Sequence, residues 1–124
     1  MMIQKFLAGF ACFFHAYAFV LESLVWDKKL GLKTFRMTAQ EAQASKLMAF
    51  NQGFYNLFIS IAIIVGFLLL SSEDPRGQVL IDYGMASALG AGAVLLFSAP
   101  HLKRPAILQA LPGLLYFVVK AIGV

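Results

Sequence analysis

Eight side chains able to bind, ionise or hydrogen-bond stand in stretches that are otherwise apolar: His15, Glu22, Trp26, Asn51, Gln52, Tyr55, Asn56 and Gln109. An acid and an imidazole are the two candidates for proton chemistry, and three carboxamides, a phenol and Gln109 could position a ligand beside them. His15, Glu22 and Trp26 are spaced i, i+7, i+11, which puts them within an arc of about 40° on a helix. Asn51, Gln52, Tyr55 and Asn56 fall within roughly 140° of one another, one face rather than a ring. A carboxamide turned toward lipid has no water to bond, so that face is expected to turn inward.

The elements that must hold these groups follow from composition. Of the 124 residues 60% are hydrophobic and 13% charged, and the mean hydropathy is +0.79. A soluble chain runs at about 45–50% apolar and about 25% charged. The chain therefore reads as an integral membrane protein. At about 20 residues per span, it has room for four transmembrane helices and no separate soluble domain. The expected fold class is all-α: one transmembrane domain over 1–124, a four-helix bundle of antiparallel up-down topology. The helices are placed at about 3–26, 39–70, 78–99 and 106–122. A cleaved signal peptide is not expected, because Lys5 is the sole early charge, His15 interrupts the apolar run, and apolar residues continue to Val25.

Between the first two helices Lys28, Lys29, Lys33 and Arg36 make a polar loop, and Thr38-Ala39-Gln40-Glu41 has the form of a capping box. Ser71 to Gly77 is a turn by composition. Gly84, Ala88 and Gly92 form a small-xxx-small stripe, expected to dock another helix of this chain, a second copy or a partner subunit. Pro112 and Gly113 are expected to kink the last helix. Seven basic residues (Lys28, Lys29, Lys33, Arg36, Lys46, Lys103, Arg104) fall on one side and three (Lys5, Arg76, Lys120) on the other. The positive-inside rule puts the first and third loops in the cytoplasm and both termini on the non-cytoplasmic side. The basic pI reflects these flanks and not a nucleic-acid partner. Cys12, the one cysteine, forms no intramolecular disulfide.

In an antiparallel pair, residues at one depth have position numbers of roughly constant sum. This sets Glu22 against Asn51 and Gln52, His15 against Tyr55 and Asn56, and brings Gln109 in near the depth of Glu22. Glu22 is the residue expected to face the bundle interior and carry an exchangeable charge. No cofactor and no metal are expected: His15 and Glu22 lack a third ligand, and no H-x-x-H or C-x-x-C spacing occurs.

The set His15…Glu22…Trp26, then Asn51-Gln52-Gly53-Phe54-Tyr55-Asn56, then Gln109-Ala110-Leu111-Pro112 resembles a family of small bacterial membrane proteins, domain of unknown function 1304. The resemblance runs over nearly the whole chain, although members more often have Leu at the place of Phe54. It implies a four-helix protein, in a bacterial inner membrane, and supplies no activity; His101 takes no role from it. Three functions fit the residues. The first is binding or transport of protons or of a small amphipathic or cationic molecule, with Phe19, Phe54 and Tyr55 as aromatic walls. The second is an enzyme moving protons on a lipid-like substrate with Glu22 and His15, about 10 Å apart along a helix. The third is an accessory structural subunit of a larger membrane complex.

Overall fold

The computed structural model describes residues 1–124, and all its elements are helical. They are α1 (Met2–Phe19), α2 (Lys29–Phe35), α3 (Ala39–Ser71), α4 (Arg76–Ser98) and α5 (Lys103–Ala121). A π-helical turn, Val20–Leu24, continues α1, and a 3-10 turn, Pro100–Leu102, leads into α5. Three stretches are long and apolar enough to cross a membrane: Met2–Leu24, Ala39–Ser71 and Arg76–Ser98. α5 is not among them; Lys103, Arg104, Gln109 and Lys120 dilute its apolar character. Large apolar side chains such as Phe6, Phe13, Leu47, Leu68 and Phe97 point outward. Soluble monomers avoid exposing so many, whereas a membrane protein requires it.

Several expectations about the elements need correction. The first helix does not run unbroken to Trp26. The Val25 N–H bonds to the Val20 carbonyl five residues back, which widens the last turn. The first loop holds a helix, α2. Arg36 ends it in the left-handed region, at φ 53°, with its N–H on the Leu32 carbonyl. α5 is continuous through Pro112 as far as Ala121. The capping box is formed: the Thr38 N–H donates to Glu41 at 2.7 Å, and the Glu41 N–H donates to the Thr38 hydroxyl at 3.2 Å.

The chain forms two compact units, residues 15–58 and residues 1–14 with 59–124. In the larger unit the core is Ala8, Ala11, Ile63, Ile81, Met85 and Tyr116. Its helices meet through glycines. A Cβ on Gly92 would lie 2.6 Å from the Ala110 nitrogen, one on Gly84 2.5 Å from Ile63, and one on Gly113 2.7 Å from the Met85 carbonyl. The stripe of Gly84, Ala88 and Gly92 is thus buried inside this chain. Gly92 packs on α5 and Gly84 on α3 of the same chain. Ser60 and Cys12 exchange side-chain to carbonyl bonds at 2.7 Å and 3.6 Å. In the smaller unit the π-turn meets the first half of α3 through Ser23, Phe50 and Gly53, α2 packs back on the end of that turn at Gly31, and His15 and Glu22 belong to it.

Candidate functional site

α3 turns one narrow face inward. Ala42, Ala49, Gly53, Asn56, Ser60, Ile63 and Gly66 are its buried positions, at steps of three or four once past Ala49. Within residues 15–58 this face meets the first helix in a seam through Gly53 and Asn56. Gly53 sits where the approach is closest: a Cβ there would come within 2.0 Å of the Ser23 hydroxyl oxygen. Ser23 belongs to the π-turn, and its hydroxyl donates to the Phe50 carbonyl at 2.7 Å. The glycine of the Asn-Gln-Gly-Phe-Tyr-Asn stretch is therefore there for close approach.

One helical step on, Asn56 joins the acid and the imidazole. Its Nδ2 donates to Glu22 Oε2 at 2.7 Å and to the Gln52 carbonyl at 3.3 Å. Its Oδ1 lies 2.7 Å from His15 Nδ1. An amide oxygen carries no proton, so His15 must donate, and its proton is on Nδ1. The amide is thereby fully used, and flipping it would set its oxygen against the Glu22 carboxylate. His15 is 0% exposed and Asn56 buried; Glu22 is half-buried and forms no ion pair.

The remaining site residues distribute as follows. Trp26 Nε1 donates to the Ser45 hydroxyl at 3.1 Å, and its ring leans on Phe35 at a centroid distance of 4.8 Å. Asn51 is exposed and bonds back to the Leu47 carbonyl. Gln52 is exposed and Tyr55 is 68% exposed. These three do not meet Glu22 or His15 as expected. The reason is angular: with Gly53 and Asn56 inward, Asn51 lies roughly 160° around the helix from Gly53, Tyr55 about 120° off the seam and Gln52 about 60° off it, at its edge. Gln109 is half-buried on α5, in the other unit. Among the aromatic walls, Phe19 and Phe54 meet edge to face at 5.1 Å.

A cavity of about 270 Å³ opens beside this cluster, lined by Glu22, Ser23, Trp26, Asp27, Lys46 and Phe50 among others. Lys46 reaches Asp27 at 2.7 Å, and that ammonium holds the Asp27 carboxyl below the usual carboxylate range. No three His, Cys, Asp or Glu side chains come close enough to share a metal ion.

A family model described as "Protein of unknown function (DUF1304)" matches residues 9–120. The chain belongs to this family. The match spans every site residue from His15 to Gln109, so the bridge, the π-turn and Gly53 all lie within the DUF1304 region. No curated protein and no solved structure matches the chain.

Sequence reasoning did not single out four side chains of the larger unit. The Tyr116 hydroxyl donates to Asp82 Oδ1 at 2.6 Å. Gln78 Nε2 donates to the same oxygen at 2.9 Å and to Tyr116 at 2.7 Å. Lys120 pairs with Asp82 Oδ2. The signal was present as two polar i, i+4 pairs, Gln78 with Asp82 and Tyr116 with Lys120, near the start of one helix and the end of the next.

Proposed function

We propose that this DUF1304 member is an integral membrane protein in which α5 completes a bundle of four antiparallel helices. In this reading both termini lie on the non-cytoplasmic side of an inner membrane. We propose further that residues 15–58 bind a small amphipathic cation. The ammonium or its equivalent would sit against Glu22, and the apolar part against Trp26 and Phe50. The observation that carries this is Glu22: a carboxylate without a basic partner, oriented by Asn56, on a π-turn, at the wall of a cavity. Acids inside membrane spans are functional by default, and π-turns recur at functional sites. Lys46 already neutralises Asp27, so the uncompensated charge in the cavity wall is that of Glu22. Aromatic faces beside acids suit cations. With no such molecule bound, the same carboxylate can hold a proton. Acid–base catalysis by His15 and Glu22 has less support. Asn56 stands between them, and an amide passes a proton only by tautomerising.

The test uses Trp26, the one tryptophan in the chain, which lines the cavity. The purified protein is titrated in nanodiscs with dodecyltrimethylammonium while Trp26 fluorescence is followed. A saturable change is expected, absent with the neutral analogue dodecanol and lost in Glu22→Gln. An equal response in Glu22→Gln, or none in the wild type, would leave Glu22, Asn56 and His15 as packing between helices.

A further inference from the structure

The larger unit has a cavity of its own, which shares no lining residue with the one beside Glu22. Its volume is about 180 Å³, below the roughly 300–1,000 Å³ of sites that enclose a whole drug-sized ligand. It has room for part of a molecule only. The lining comes from four helices: Lys5 and Ala8 on α1, Phe67 and Leu70 on α3, Gln78 on α4 and Tyr116 on α5.

The polar and apolar groups are segregated. Ala8 and Tyr116 are fully buried, at 0% and 1% exposure, and Phe67 and Leu70 are half-buried. Lys5 is exposed and pairs with no carboxylate. The nearby acid does not compete for it. Asp82 Oδ1 already accepts bonds from Tyr116 and Gln78, and Oδ2 is held by Lys120. That network neutralises Asp82 and fixes the Tyr116 and Gln78 side chains in the wall. What remains is a largely apolar recess with the unpaired Lys5 ammonium at its edge; Gln4, also in the wall, donates to the Val124 oxygen at 3.0 Å.

We infer that this cavity binds an acidic amphiphile, with its carboxylate or phosphate at Lys5 and the first part of its chain against Ala8, Phe67 and Leu70. Basic pockets between membrane helices bind anionic headgroups on the cytoplasmic side, and in the orientation proposed above Lys5 offers the same attraction at the opposite end of the bundle. The same chemistry is offered by a free fatty-acid-type anion and by an anionic bilayer lipid, and the experiment separates them.

The protein in detergent is mixed with dodecanoate, with dioleoylphosphatidylglycerol or with dodecanol, and bound molecules are counted by native mass spectrometry. A one-to-one adduct is expected with at least one anion and none with dodecanol; whichever anion is retained identifies the source. Lys5→Ala is expected to weaken that adduct about tenfold, the scale of a lost charged hydrogen bond. Lys5 is exposed, so this variant keeps the fold. Lys33→Ala removes an exposed charge in the other unit and is expected to change nothing. The inference is overturned if dodecanol binds as well as the anions or if neither anion is retained. It is equally overturned if Lys5→Ala binds like wild type, or if Lys33→Ala loses as much.

Discussion

Asn56 Nδ2 donates to Glu22 Oε2 at 2.7 Å, and the opposite end of the same amide accepts from His15 Nδ1 at 2.7 Å. One carboxamide thus serves two titratable groups. Asn56→Leu keeps similar bulk but strands both partners, so it should cost about 1–3 kcal/mol for each buried group left unpaired. His15→Leu combined with Asn56→Leu should cost less than the two single changes added together, because the donor stranded by the second change is then gone. Denaturation in detergent, followed as a double-mutant cycle, measures both. Additive losses would mean that the His15–Asn56 bond contributes nothing.

Gly53 and Ser23 make a second testable pair. Gly53→Ala places a methyl group 2.0 Å from the Ser23 hydroxyl oxygen and 3.1 Å from its Cβ. Relieving that overlap should cost about 1–3 kcal/mol, the range for overpacking. Ser23→Ala in the Gly53→Ala background removes the nearest atom but also the bond to the Phe50 carbonyl. It should recover part of the loss, whereas Ser23→Ala alone should destabilise. Thermal unfolding of the four proteins decides the matter.

How far these features were legible in the sequence depended on what set each one. The antiparallel register was readable because polar side chains inside a membrane must find one another at equal depth. His15 opposite Asn56 follows from that alone. The capping box was readable because Thr38 and Glu41 need only each other. The partner of Glu22 was not. The register argument put Asn51 and Gln52 there, but rotation of α3 is set by its small residues, and the Gly53 seam turns Asn51 outward. The π-turn was unreadable too, since Val20–Leu24 carries no proline or glycine to mark it. The Asp82 network went unread for a different reason. Each of its members lies near a helix end, where a polar side chain alone needs no explanation, and only the packing of α4 on α5 brings them together.

Gly90 and Gly92 give the sharpest contrast within α4. A Cβ on Gly92 would meet the α5 backbone at Ala110, 2.6 Å away, and a backbone atom cannot move aside as a side-chain tip can. Gly92→Ala should therefore separate α4 from α5 and cost about 1–3 kcal/mol. At Gly90 nothing lies within 4 Å, and alanine is favoured over glycine inside a helix by about 0.5–1 kcal/mol. Gly90→Ala should be neutral or stabilising. Equal melting temperatures for the two variants would contradict the packing described for Gly92.

The last prediction concerns pH at the mouth of the Glu22 cavity. Asp27 accepts from Lys46 at 2.7 Å, and this contact, aided by the nearby charge of Lys28, lowers its carboxyl below the ordinary range. A carboxyl whose value is lower folded than unfolded stabilises the fold above its unfolded value, about 3.9. That contribution is lost as pH falls through the lower, folded value. The pair is exposed to screening, so its effect on stability is small and should shrink further in high salt. The site-specific titration is the better observable. Infrared difference spectra with labelled aspartate, assigned by their loss in Asp27→Asn, should show Asp27 titrating below the usual carboxylate value in the wild type. Lys46→Met should return it most of the way, because Lys28 supplies only the smaller influence. An unchanged titration in Lys46→Met would show that the ammonium does not rest on Asp27.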